Sequence, residues 1–369
     1  MRICFIVSEY FEWGQLGGYG TITRALAEGL VQRGHQVFAL VPKRTKEAKL
    51  RQPDVEEIAG VTVIGLPHSY LARVRKRHLY RMPAADIFVN VDTRFDSWLA
   101  MKLNPKARHC IWFIDPMAFD TFWSRHNEDP GNAGNLEKLR VKLIFEPLQF
   151  FGRRAVRGAD ILLAQSQQGC EIAQEFFRTS EPVLFAPNPV DVPEGTIEKS
   201  PAPVVLFLGR FDWQKQPEAF FTLAPKFPDV QFVAAGAASD PGVDRELRER
   251  FAGIPNLSLP GVVRGAEKTA LLRRSWILCN TSLREGLPRS LQEALAHRCA
   301  ILSALDPDSY VSRFGYHARD RDFETGLRSL LEENRWRALG DAGHEAIRAT
   351  HGCKHATDTH ESIYGDSLR

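Results

Sequence analysis

Short apolar runs alternate with segments of helical period along almost the whole chain, and this alternation limits the possible folds more than any other feature. RICFIV (2–7) is a β-rich run, and TITRALAEGLVQRG (21–34) places Ile22, Leu26, Gly29 and Leu30 on one helical face. HQVFALVP (35–42) then reads as a second strand. Gly34 stands where a helix-stop glycine is expected. A strand, a helix and a strand within about forty residues make a right-handed crossover, the unit of a parallel sheet covered by helices. VTVIGL (61–66), DIFVNV (86–91), HCIWFI (109–114), DILLAQS (160–166) and PVLFAPN (182–188) continue the series. A proline-rich stretch without period follows Asn188, and beyond it the alternation restarts with VVLFLG (204–209), VQFVAAG (230–236), LSLPGVV (257–263), ILCNTS (277–282) and AILSAL (300–305). The expected class is α/β, with two parallel-sheet domains facing across a cleft where ligands bind at the carboxyl ends of strands. The expected boundaries are 1–188, a hinge at 189–203, a second domain at 204–345 and a tail at 346–369 packing back toward the first domain. At 369 residues, well over twice a typical domain of about 150, the length agrees with two cores.

Composition excludes several classes. With 44% hydrophobic and 25% charged residues the chain is neither disordered nor collagenous. A net charge of +3 gives no electrostatic case for nucleic acid. The six cysteines are dispersed, form no C-x-x-C and read as reduced core thiols. The apolar run at the amino terminus is too short for a signal peptide, and no stretch of about 18 apolar residues exists to span a membrane. The expected location is cytoplasmic, with an option of peripheral contact at the inner face of a membrane.

Three segments carry chemistry. The loop after the first strand holds Gly14, Gly17, Gly18 and Gly20, which let backbone approach a phosphate or sugar, and the helix behind it offers N–H groups. It lacks both G-x-G-x-x-G and GK[ST], which disfavours a dinucleotide fold or a P-loop; a surface loop is the competing reading. In VVLFLGRFDWQKQPE (204–218), Arg210 and Lys215 leave one strand end together, a geometry suited to a diphosphate; two solvated cations are the alternative. In NTSLREGLPRSLQEALAHRCAILS (280–303), Glu285 and Glu293 stand eight apart, a spacing that chance also supplies at Glu324 and Glu332. Context separates the first pair: a strand, a Glu285-Gly286 turn, Pro288 at a first helical position, then a helix. Free N–H groups near Leu287 would hold an anion, and the two carboxylates would accept bonds from sugar hydroxyls.

The assembled pattern of GGYG (17–20), RGHQV (33–37), RGADILLAQS (157–166), VLFAPNPVD (183–191), LGRFDWQKQP (208–217), PGVV (260–263) and EGLPRSLQEALAHRCAILS (285–303) resembles the retaining glycosyltransferases of family 4, also called glycosyl transferases group 1, which have the GT-B fold. The resemblance spans nearly the whole chain. It implies two Rossmann-like domains, the first on the acceptor side and the second for the nucleotide-sugar donor. It implies Arg210 and Lys215 on the diphosphate, Glu293 on the ribose, Glu285 on the donor sugar, and Gly18 near the phosphate or acceptor. Gly17, Val262, Gly286, Leu287 and Pro288 complete the donor site that it implies. No metal and no cofactor is implied beyond the donor itself.

The sequence departs from the family pattern at two positions. Asp115 stands where the family usually has a sugar-contacting histidine, and it reads equally as a catalytic residue or as the N-cap of a helix beginning at Pro116. Pro189 replaces the glycine of the interdomain pattern. Other candidates rank lower: Asp306 and Asp308 read as a turn, His351, Cys353, His355 and His360 as a tail rather than a metal site, and Phe119, Phe122 and Trp123 as core before acceptor platform. The basic run Arg73–Arg81, with Arg73, Arg75, Lys76 and Arg77, reads as a solvated face or a contact with anionic lipid. The expected function is retaining, metal-independent transfer of a sugar from a nucleoside-diphosphate donor to a carbohydrate or glycolipid acceptor hydroxyl, in glycan, polysaccharide or glycoconjugate biosynthesis. The alternatives are a nucleotide-sugar epimerase, an inactive nucleotide-sugar-binding protein and, weakest, a nicotinamide dehydrogenase.

Overall fold

The computed structural model describes residues 1–10, 13–14, 18–43, 53–91, 95–115 and 135–369. The chain divides into two compact units: one runs to Pro189 and takes back Cys353–Arg369, and the other is Val190–Gly352.

The first unit contains β1 (Arg2–Ile6), β2 (Glu9–Tyr10), β3 (Trp13–Gly14), α1 (Gly18–Gln32), β4 (Gln36–Pro42), β5 (Val55–Ile58), β6 (Val61–Leu66), α2 (Tyr70–Arg75), β7 (Ile87–Val91), α3 (Phe95–Leu103), β8 (Arg108–Phe113), α4 (Asn135–Arg157), β9 (Ile161–Ala164), α5 (Gln167–Phe177) and β10 (Val183–Phe185). Its main sheet has the order β10-β9-β8-β7-β1-β4-β6-β5. All neighbours are parallel except β5, which runs antiparallel to β6. Strands covered on both sides must be apolar throughout, and β1 shows why: Ile3 and Phe5 enter one core cluster while Cys4 and Ile6 enter another. The edge strand β5, VEEI, was not expected from the sequence. Its Val55, Glu56 and Glu57 are exposed, so it has no apolar run to detect, and its charges suit an edge.

The second unit contains β11 (Val204–Leu208), α6 (Pro217–Phe221), β12 (Gln231–Ala235), α7 (Pro241–Phe251), β13 (Leu257–Gly261), α8 (Gly265–Arg274), β14 (Ile277–Asn280), α9 (Arg289–Ala296), β15 (Ala300–Ser303), α10 (Tyr310–Phe314), β16 (Gly315–His317), α11 (Phe323–Leu331) and α12 (Arg335–His351). Its parallel sheet has the order β13-β12-β11-β14-β15-β16. The same alternation recurs, with Val205 and Phe207 in one cluster and Val204 and Leu206 in the other.

The last helix, α13 (Cys353–Leu368), belongs to the first unit. It lies on α1 where Gly29 has no side chain: a Cβ there would stand 2.6 Å from the Thr357 hydroxyl. Arg33 pairs with Glu361 and Asp358, each at 2.6 Å, and His360 donates from Nε2 to the Pro187 carbonyl at 3.1 Å while its Nδ1 accepts from Tyr364. The two chain crossings between units are adjacent, since Val190 N donates to the His351 carbonyl at 2.7 Å. The segment that returns to the first unit thus starts at Cys353 rather than at 346, because α12 continues to His351. None of the six cysteines is in a disulfide, and five of them are buried. Among the described residues no cluster of His, Cys, Asp or Glu could hold a metal, and no helix is long and apolar enough to cross a membrane.

Candidate nucleotide-sugar site

The site of the second unit starts at the carboxyl ends of β11 and β12. The two backbones touch there: a Cβ on Gly236 would stand 1.8 Å from the Gly209 carbonyl oxygen, so only glycine fits. Gly209 N donates to Ala235 O at 3.2 Å and Phe211 N to Ala237 O at 2.9 Å, which fixes where Arg210 leaves the sheet. Asp212 then organises the loop. Its Oδ1 accepts from the Lys215 amide at 3.0 Å and its Oδ2 pairs with Arg210 at 3.1 Å, while the Arg210 side chain stays 61% exposed.

A second loop, after β14, is stitched to the first. Buried Gln214 donates from Nε2 to Arg284 O and accepts at its own carbonyl from Leu283 N, both at 2.8 Å. The Thr281 hydroxyl donates to Lys215 O at 2.7 Å, and Arg321 donates to Thr281 O at 2.9 Å. These bonds bring Lys215 onto Glu285: its ammonium donates to Oε1, which also accepts from the Ser282 hydroxyl at 2.8 Å. By donor and acceptor count, Lys215 keeps two further N–H groups and Glu285 keeps its Oε2.

Pro288 occupies the cap position of α9, one residue before the first helical position expected for it, and it brings no side-chain acceptor to the helix start. Glu293 lies in the helix at 9% exposure. Lys268, from α8, donates to its Oε1 at 2.8 Å and Oε2 at 3.0 Å, and Arg289 donates to Oε1 at 3.0 Å. Burial alone would raise the Glu293 carboxyl, but the charges of Arg289 and Lys268 outweigh it and hold it below the usual carboxylate range. The three bonds leave one lone pair on Oε2. Lys268 and Arg289 were missed in the sequence; Arg289 was legible as an i,i+4 partner of Glu293, whereas Lys268 comes from another element and carries no local signal. Leu287 is buried, Gly286 half-buried, and Val262 exposed just beyond β13.

The first unit holds the other expected residues. Gly18 is exposed at the start of α1, and the Gly20 amide two residues further in donates to the buried Glu9 carboxylate at 3.0 Å. The helix start therefore already carries an internal anion. Gly17 lies outside the described residues, as do Pro116, Phe119, Phe122 and Trp123. Asp115 is half-buried just beyond β8, next to Ile114, whose carbonyl accepts from buried Gln165 at 2.8 Å. Arg73 is corrected: it is 5% exposed, pairs with Asp96 and donates to Pro67 O at 2.7 Å, so it is a structural cation rather than part of a surface patch. Arg75, Lys76 and Arg77 are exposed. His351 and His360 are buried, and Asp306 caps α10 by accepting from Val311 N at 2.8 Å.

Residues 202–322 match the family model described as Glycosyl transferases group 1, and residues 2–99 match the one described as Starch synthase catalytic domain. The chain is a GT-B glycosyltransferase. Sucrose-phosphate synthase from Thermosynechococcus elongatus superposes on this glycosyltransferase with a TM-score of 0.75 at 16% identity, covering 99% of this chain and 98% of that one. The catalytic domain of starch synthase IV from Arabidopsis thaliana, bound to ADP and acarbose, gives 0.68 at 12% identity, covering 100% and 99%. WaaG, a glycosyltransferase involved in lipopolysaccharide biosynthesis, gives 0.67 at 15%, covering 99% of each chain. No curated protein sequence matches the chain. The glycosyltransferase is thus similar in fold along its whole length to enzymes from which it has diverged widely in sequence.

Proposed function

We propose that this glycosyltransferase moves a sugar from a nucleoside-diphosphate donor to a carbohydrate or glycolipid hydroxyl with retention of anomeric configuration and without a bound metal. The observation that carries the reading is the stitching of two strand-end loops, which sets Lys215, Glu285 and, on the following helix, Glu293 in one unit. Lys215, with two N–H groups uncommitted, and exposed Arg210 neutralise the diphosphate as it leaves. Glu285 takes a hydroxyl of the donor sugar on Oε2, and Glu293 takes a ribose hydroxyl on its remaining lone pair. The acceptor oxygen attacks from the leaving-group face, a bond forms to the anomeric carbon as the bond to the diphosphate oxygen breaks, and that oxygen receives the acceptor's proton. Such a step needs positioned charge rather than a protein nucleophile. Asp115, at the carboxyl end of the acceptor-side sheet, is assigned a contact with the reacting sugar or acceptor. Exposed Arg75, Lys76 and Arg77, beside the exposed apolar Leu71 and Val74, are assigned a contact with an anionic membrane surface, and six cysteines outside any disulfide fit a reducing cytoplasm.

The test is a donor panel with NMR of the product in the presence of a chelator. The reading expects an acceptor-dependent product with the donor's anomeric configuration; an inverted product, or donor conversion without acceptor, would refute it.

A further inference from the structure

At the opposite end of the first sheet lies a cavity of about 680 Å³ that no part of the transfer chemistry uses. Its walls come from the carboxyl ends of α3 and α4 and from the residues that open β8 and precede β9. Asp115 lies just beyond the carboxyl end of β8, whereas Arg108 opens β8 and Asp160 precedes β9 at their amino ends. Five cations line the cavity: Lys102, Lys106, Arg108, Arg154 and Arg157, all exposed. Its one carboxylate, Asp160, is already committed to Arg108 at 2.7 Å and to the His109 amide at 2.8 Å.

Two helix ends meet here, and cations at helix carboxyl termini are ordinary. Each end carries roughly half a negative charge, so the two account for about one cation and Asp160 for a second, which leaves a surplus of about three positive charges. Trp98, Met101 and Ala107 supply apolar wall between the cations. A surface that only needed solubility would not gather a surplus of one sign in a concavity, where low-dielectric walls strengthen the field.

We propose that this cavity is a binding site for a small phosphorylated molecule carrying two or more negative charges. Arg154 and Arg157 supply forked donors for the phosphate oxygens, Lys102 and Lys106 supply point charges, and Trp98 covers the uncharged part of the ligand.

The experiment is calorimetric titration of inorganic pyrophosphate into the full chain in the Lys215→Ala background, which disables the donor loop. One pyrophosphate should bind, and adding either Arg154→Ala with Arg157→Ala or Lys102→Ala with Lys106→Ala should weaken it at least tenfold, while unfolding midpoints stay unchanged. The two pairs lie on different elements, so a folding defect in one leaves the other as the test. Undiminished binding in both sets, or no binding in the Lys215→Ala background, overturns the proposal. Phosphatidylglycerol vesicles distinguish the source of the phosphate: co-sedimentation lost in these variants while pyrophosphate binding persists would make the cavity a lipid contact and also overturn it. Failure here leaves the donor site untouched, because none of these four residues belongs to it.

Discussion

Glu293 is held by two cations from two elements, and removing its charge has two separable effects. Glu293→Ala leaves Lys268 and Arg289 without their shared anion, at a cost of about 2–3 kcal/mol; this lies below the range for fully buried pairs because the Lys268 side chain is 31% exposed. The same variant loses the acceptor for the ribose, so nucleoside-diphosphate affinity should fall at least tenfold, whereas Lys268→Ala should cost stability with a smaller loss of affinity. Chemical unfolding and calorimetry on the two variants check the split. At this scale part of the site was legible. Glu285, Glu293, Arg210 and Lys215 stand in recognisable strand-end and turn contexts, but their partners Asp212, Ser282, Gln214 and Lys268 are ordinary polar residues that only the folded chain brings together. Arg73 shows the converse error: a basic run gives no sign of which of its members has a buried acid waiting, here Asp96.

At the scale of elements, the two parallel sheets were readable because strands buried on both faces must be continuous apolar runs. β5 and β16 escaped for lack of such runs, VEEI being charged and GYH only three residues long and half-buried. The return of the tail to the first domain was expected, but its seat on α1 was not readable, for another reason: it depends on the absence of a side chain at Gly29, which reads in sequence as one more position of a helical face. Gly29→Leu should unseat α13, because Thr357 would have to move by more than an ångström and the ion pairs of Arg33 with Glu361 and Asp358 would be lost with it. Limited proteolysis should then cleave the variant near Cys353 well before the wild type, and the melting temperature should fall by several degrees.

The whole molecule carries buried histidines that set its response to acid. Burial drives His360 down to about 4 against the carbonyl bond from Pro187, and burial likewise holds His109, His297 and His344 below the usual histidine value. The unfolded chain binds these protons near pH 6.5 and the folded chain refuses them. Stability is therefore complete above about pH 6.5 and falls as pH drops toward 4, with His360 alone contributing about 3 kcal/mol to the loss. Guanidinium unfolding midpoints at pH 7, 6 and 5 should decline steadily, and His360→Gln should flatten the decline.

The central claim at this scale is that the loop after β11 and the loop after β14, in the carboxyl-terminal unit, form the diphosphate end of a sugar-donor site. Its most direct measurement is calorimetric titration of a panel of nucleoside-diphosphate sugars into the wild type and Lys215→Ala. At least one donor should bind the wild type, with affinity reduced ten- to a hundredfold in the variant, in line with about 1.5–3 kcal/mol for a charge-assisted hydrogen bond. Equal affinity in the two proteins would contradict the account.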